Sequence, residues 1–474
     1  MFLDESIYLY WARRVAADFR FWRPLADGKS LHIWLLAPVV PWAGDPLLAG
    51  RLVSVAVGAV GAWVTWKLGA RFGGSRAGTL AAALYVLCPH ALFLDRMVLA
   101  DVHLSTAAGL TLLASVTVLE RPTGRRASAL GVALAACVLS KIPGLLCWAT
   151  PPLAAALLER PRAIRGVFFR AYGTAAALAG PPVVYFFLES LQVQEQLAFP
   201  PSATHAALLL LSNLRLLGGW LWDYWTPGLC LVGAGGLLSA VAGRRRPDAL
   251  LAAVAAVPLL VFAGLSRSWF PRYLSPATIP FLVLVAMTLV RLARWVGFPG
   301  GGGARRPVRM TALAAAGLLA AAPALRFDHL LMTRPEDAPF PAVDRGQYVL
   351  DWSAGYGCED VARALLGERT RSSSGLVVGV GGGDRHDWRP LHLLLRARFM
   401  NDEAVEIEVL DPFEPVARAG LFERAEGRPV YVAVALGDGR EPAPPGYRLV
   451  VGRSALGVPR VVLYRALPPA ARPH

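Results

Sequence analysis

The chain has 474 residues, 55% of them hydrophobic and 17% charged, with a formal net charge of +15. A mean hydropathy of +0.46, with the apolar residues gathered into runs, excludes an ordinary soluble protein. It points to a polytopic helical membrane protein with a more polar tail. The positive charge does not indicate nucleic-acid binding. The arginines sit in short loops between apolar runs, where they act as topology signals, and no basic face interleaved with aromatics accompanies them. Four of the five cysteines lie in apolar segments and Cys358 stands in the tail, so neither a disulfide framework nor a CxxC metal site is present.

In chain order, residues 1–46 carry Asp4, Glu5, a DGK turn at 27–29 and the segment Leu31 to Trp42, which is too short and proline-punctuated to span. That segment is expected along the membrane interface, anchored by Trp34 and Trp42. Apolar windows then follow at 48–68, 77–94, 102–119, 127–140, 143–158, 167–188, 228–243, 249–265, 274–294 and 310–326. A helix needs about 20 apolar residues to cross the hydrocarbon, and these windows meet or approach that length. The reading gives about ten visible spans, with one more expected upstream to carry residues 1–46 across.

Arginine groups at 71 and 76, at 121, 125 and 126, at 160, 162 and 165, at 244–246, and at 305, 306 and 309 fall on one side if the spans alternate. That side is then the cytoplasm. This parity depends on a break at Ser140-Lys141-Ile142-Pro143. The opposite loops, 1–46, 95–101, 189–227, 266–273 and everything after about 327, then face outward. In the tail, short apolar runs at 375–380, 404–410, 430–436, 447–451 and 460–463 alternate with amphipathic stretches at 359–366 and 388–399. They predict a small extracytoplasmic α/β domain over 327–474, following a transmembrane domain over 1–326.

The outward loops hold the candidate chemistry. Asp4 and Glu5 are adjacent, so one of them at most points into a given site, with a helix N-cap as the alternative explanation on local grounds. Lys29 and His32 stand just above the interfacial segment, where an ammonium meets a lipid phosphate or simply snorkels. Asp95, Arg96, Asp101 and His103 crowd a short loop, and such charge at the edge of hydrocarbon implies a polar cavity. Spacing there does not support a metal site. Arg267, Arg272 and Tyr273 precede an apolar helix, and guanidinium groups bind phosphate oxygens bidentately. Gly379 to Asp384 follows a strand but lacks both GxGxxG spacing and a Walker lysine, so it reads as a strand-to-loop turn.

The order of these pieces resembles the GT-C superfamily of membrane glycosyltransferases, in the branch of protein O-mannosyltransferases and lipid A aminoarabinose transferases. The shared features are an acidic pair in the first outer loop, a DGK turn, an Arg-plus-Asp second loop and an Arg-Tyr-Leu-x-Pro helix start. The likeness covers residues 1 to about 300, with Gln347 to Asp360 similar to the start of the bacterial tail domain. It implies Asp4 as the catalytic carboxylate with Glu5 its companion and Asp101 as the second-loop acid. It also implies Lys29, Arg96 and Arg272 around the donor phosphate, to which Arg267 and Tyr273 are added from the residues themselves. The sequence departs from the family at Lys29-Ser30-Leu31, where the usual proline is absent.

The resemblance further implies a polyprenyl-phosphate sugar donor, a glycan, lipid or protein acceptor, and a multi-pass location in the inner (plasma) membrane with an extracytoplasmic active site. No cofactor is expected; a divalent metal at Asp101 and His103 is possible but not supported by the spacing. A transporter or flippase of lipid-linked sugars is the alternative; it would require charged residues at the bilayer midplane and internal repeats, and neither is visible.

Overall fold

The computed structural model describes residues 3–22, 28–158, 165–189, 202–242, 245–267, 269–296, 317, 321–350, 354, 357–382, 389–399, 402–410, 414–435, 445–451 and 461–467. Two compact units emerge. One comprises Phe21–Leu35 and Arg51–Pro341, the other Met1–Arg20, Leu36–Gly50 and Ala342–His474.

The larger unit is helical. It contains α2 (Ser30–Leu36), most of α3 (Pro46–Gly73), α4 (Ser75–Val86), α5 (Pro89–Asp95), α6 (Ala100–Glu120), α7 (Gly124–Ser140), α8 (Thr150–Leu157), α9 (Arg165–Glu189), α10 (Ala203–Trp220), α11 (Thr226–Ala242), α12 (Arg246–Leu265) and α13 (Ser275–Val296). By length and composition six described helical segments are able to cross a membrane, or seven if α4 and α5, bent by 62°, form one span. This confirms a multi-pass helical protein but not the full set of about ten windows. Residues 127–140 and 143–158 form shorter helices, and most of 310–326 lies outside the described residues.

A clear correction falls in 189–227, expected to be an outer loop. Residues 203–220 are helix α10. Ser212, Asn213 and Arg215 dilute its apolar run in the sequence. In the fold, however, Asn213 Nδ2 donates to the carbonyls of Ala263 (2.9 Å) and Ser266 (3.0 Å), so its polarity is satisfied at the end of α12.

The break at Lys141 is present. α7 ends at Ser140, Lys141 is extended, and a 3₁₀ helix, Ile142–Ala149, turns the chain back until Trp148 Nε1 donates to Leu134 O at 3.2 Å. Pro143 lacks the N–H that a continuing helix needs. The return is tight enough that a Cβ on Gly144 would collide with the Cys137 carbonyl. Gly144→Ala is therefore expected to lower the melting temperature of detergent-solubilised protein. Gly235→Ala, in α11 with open space around it, is expected to leave it equal or higher; equal melting of the two variants would refute the close approach.

The smaller unit is built on a mixed five-stranded sheet in the order β2-β1-β3-β5-β4. Its strands are β1 (Leu376–Gly382), β2 (Val405–Val409), β3 (Val430–Ala435), β4 (Tyr447–Val451) and β5 (Val461–Ala466). β1 lies parallel to β2 and β3, whereas β5 runs antiparallel to β3 and β4. Alternation along the strands separates two cores. Leu376, Val378 and Val380 pack with α14 (Cys358–Arg371) and α15 (Arg389–Arg398), while Val377, Val430 and Val432 pack with α16 (Pro415–Ala425). Gly379, Gly381 and Gly382 belong to β1 itself; Gly383 and Asp384 lie outside the described residues. Helix α1 (Leu3–Asp18) also belongs to this unit, packing against α15.

Candidate active site

The centre of the larger unit's polar cluster is an ion pair. Asp101 stands in the first turn of α6, where the helix dipole favours a carboxylate. Its Oδ1 accepts from Lys141 Nζ at 2.9 Å, and the two side chains are only 4% and 10% exposed. The ammonium also lies 4.6 Å from the ring centre of Tyr273, a cation–π contact that strengthens where water is scarce. Lys141 reaches this position because α7 stops beside it and leaves its backbone extended.

The DGK turn comes next. Gly28 has φ +64°, a left-handed conformation that glycine adopts without strain. Its Cα is so close to Ile142 and Phe186 that a Cβ would approach them to 2.8 and 2.9 Å. Lys29 follows, its carbonyl accepting from Ile33 N at 3.4 Å as α2 begins. His32, on the first turn of α2, meets His103 of α6 with their Nδ1 atoms 3.3 Å apart. Lys29 lies within electrostatic range of both His32 and Lys141.

The third contributor is the turn Pro271–Leu274 before α13. His90 Nε2 bonds the Pro271 carbonyl at 3.3 Å, and its Nδ1 lies 3.2 Å from Thr278 Oγ1, which fixes the turn against α5. The Tyr273 ring stacks on Phe262 at 5.0 Å. Arg272 rests 5.1 Å over the Phe270 ring and lies within electrostatic range of Lys141. Lys29 and Arg272 both lie within electrostatic range of Lys141, so three cations and the Asp101 carboxylate share this region. Such a cluster suits a phosphate group.

Of the other residues singled out from sequence, Arg96 Nη1 donates to the Leu331 carbonyl at 2.8 Å and Arg267 is exposed after α12. Asp95 pairs with Tyr85 OH at 3.3 Å. In the smaller unit, Asp4 and Glu5 occupy the first turn of α1, with Glu5 fully buried and Asp4 partly exposed. Among the described residues no group of three or more His, Cys, Asp and Glu side chains is arranged to hold a metal ion.

Lys141 is the site residue that the sequence reading passed over as a turn residue. Its signal was a lone lysine between two short apolar stretches, directly before Ile-Pro, where a charge is costly unless it is paired.

Residues 30–186 match the family PMT_2, described as dolichyl-phosphate-mannose-protein mannosyltransferase. No curated protein sequence matches the chain significantly. Among solved structures, the chain is similar to ArnT from Cupriavidus metallidurans bound to undecaprenyl phosphate. The TM-score is 0.55 at 17% identity, over 99% of this chain and 95% of that one. It is also similar to the archaeal oligosaccharyltransferase AglB from Archaeoglobus fulgidus, in complex with an inhibitory peptide and a dolichol-phosphate. There the TM-score is 0.54 at 12% identity, over 91% of this chain and 65% of that one.

Proposed function

We propose that this chain, a multi-pass membrane glycosyltransferase of the GT-C type that uses polyprenyl-phosphate-linked donors, transfers a sugar to an acceptor hydroxyl at the outer face of the plasma membrane. The observation that carries the site assignment is the buried Asp101–Lys141 pair, with the Tyr273 ring against its ammonium and Lys29 and Arg272 within electrostatic range of it. Sidedness is supported by the arginine groups at 71 and 76, at 121, 125 and 126, and at 160, 162 and 165. Pairs of apolar segments separate these groups and return the chain to the same side.

In the proposed reaction the donor's isoprenoid tail stays in lipid and its phosphate meets Lys29, Lys141 and Arg272. The acceptor oxygen attacks the anomeric carbon as the bond from that carbon to the phosphate oxygen breaks. Polyprenyl phosphate leaves with the electron pair, and a single displacement inverts the anomeric configuration. By the family resemblance, Asp4 is the residue expected to take the acceptor proton. The three cations stabilise the charge that grows on the departing phosphate. Asp101, already held by Lys141, orients that ammonium.

Arg272→Ala is expected to weaken binding of undecaprenyl phosphate to the purified full-length protein by about tenfold or more, the range for a lost charged hydrogen bond. Wild-type affinity in a folded variant would remove the phosphate site from this position.

A further inference from the structure

Residues on either side of Lys29 contact the segments that carry Lys141 and Asp101. Gly28 is pressed against Ile142, the residue after Lys141, and His32 meets His103, two residues after Asp101. Both imidazoles are buried, at 0% and 3% exposure, with ring centroids 4.6 Å apart in an edge-to-face arrangement. The two Nδ1 atoms face one another, and each ring also reaches a backbone carbonyl just before α6, His32 that of Val98 and His103 that of Leu99. Lys29 lies between these two anchors, one residue from Gly28 and three from His32. Its own carbonyl is tied to Ile33 N.

We propose that His32 and His103 are positioning residues for the donor phosphate: the imidazole pair fastens the DGK turn to α6 and thereby sets the Lys29 ammonium beside Lys141. This rests on the phosphate role given to Lys29 above. His103 touches neither the phosphate nor the sugar in this scheme and acts only through the turn. The glycine supplies the close approach at one end of the turn. The histidines supply the other anchor, through their edge-to-face contact and the carbonyls of Val98 and Leu99 that the rings reach.

The test is a double-mutant cycle on the full-length protein in detergent, read by equilibrium binding of undecaprenyl phosphate. Lys29→Ala and His103→Ala are each expected to weaken binding about tenfold, and the double variant is expected to bind no more weakly than Lys29→Ala alone. His103→Gln, which keeps a donor and an acceptor, is expected to recover most of the loss. Wild-type binding by His103→Ala, or losses that add in the double variant, would overturn the positioning role. If His103→Ala does not fold, the same cycle is run with His103→Phe, which keeps a ring and removes both nitrogens, and additivity with Lys29→Ala again overturns it. Unchanged binding by Lys29→Ala would instead defeat the phosphate role itself.

Discussion

Lys141→Ala leaves the Asp101 carboxylate buried without its cation, and the expected loss is about 3–5 kcal/mol of stability, the usual cost of breaking one side of a buried ion pair. The pair is short at 2.9 Å and almost fully enclosed, so solvent cannot replace the lost ammonium. Removing both charges together, as Asp101→Asn with Lys141→Met, is expected to restore much of that stability, because the penalty comes from the unpaired charge rather than from the pair's net worth. Undecaprenyl phosphate binding is not expected to return, since the proposed donor site has lost Lys141. Thermal unfolding in detergent and lipid-phosphate binding report the two quantities separately. A Lys141→Ala protein with wild-type melting and binding would show that the pair serves neither purpose.

Asp4→Asn is expected to reduce sugar transfer by about 10²–10⁴-fold, the range associated with general-base assistance. The substitution keeps the side-chain volume and the first-turn position in α1 but removes the proton acceptor. Glu5 is the informative comparison, because it is fully buried beside a partly exposed Asp4. Glu5→Gln is expected to lower the melting temperature more than Asp4→Asn does, while Asp4→Asn has the larger effect on turnover under saturating donor. The assay is transfer of radiolabelled sugar from polyprenyl phosphate to membrane acceptors, with protein melting followed in parallel. Full activity in a folded Asp4→Asn protein would remove Asp4 from the chemistry.

The two residues illustrate different degrees of legibility. Asp4 stands out in the sequence because a carboxylate pair opens an otherwise aromatic and apolar segment, and the order of motifs that follows assigns it a role. Lys141 carries no motif of its own. Its partner Asp101 is 40 residues away in the chain, and nothing local to either residue announces the bond. The His32–His103 contact spans 71 residues and is equally silent. Helix α10 was hidden for a related reason: Asn213 lowers the apparent hydrophobicity of its segment, and only the carbonyls of α12 show that its polarity is satisfied internally.

Local periodicity and composition were sufficient to determine membrane class, the grouping of arginines between apolar segments, the break at Ile142-Pro143 and the five strands of the tail. These depend on transfer free energy, proline's missing donor and the two-residue repeat of a strand, all of which act over a few neighbouring residues. Tertiary structure alone decided which cation meets Asp101, what fastens the DGK turn and the sheet order β2-β1-β3-β5-β4. Those choices are made by pairing buried charges and polar groups across long stretches of chain, because in a water-poor interior each such group must find its partner wherever the fold brings one.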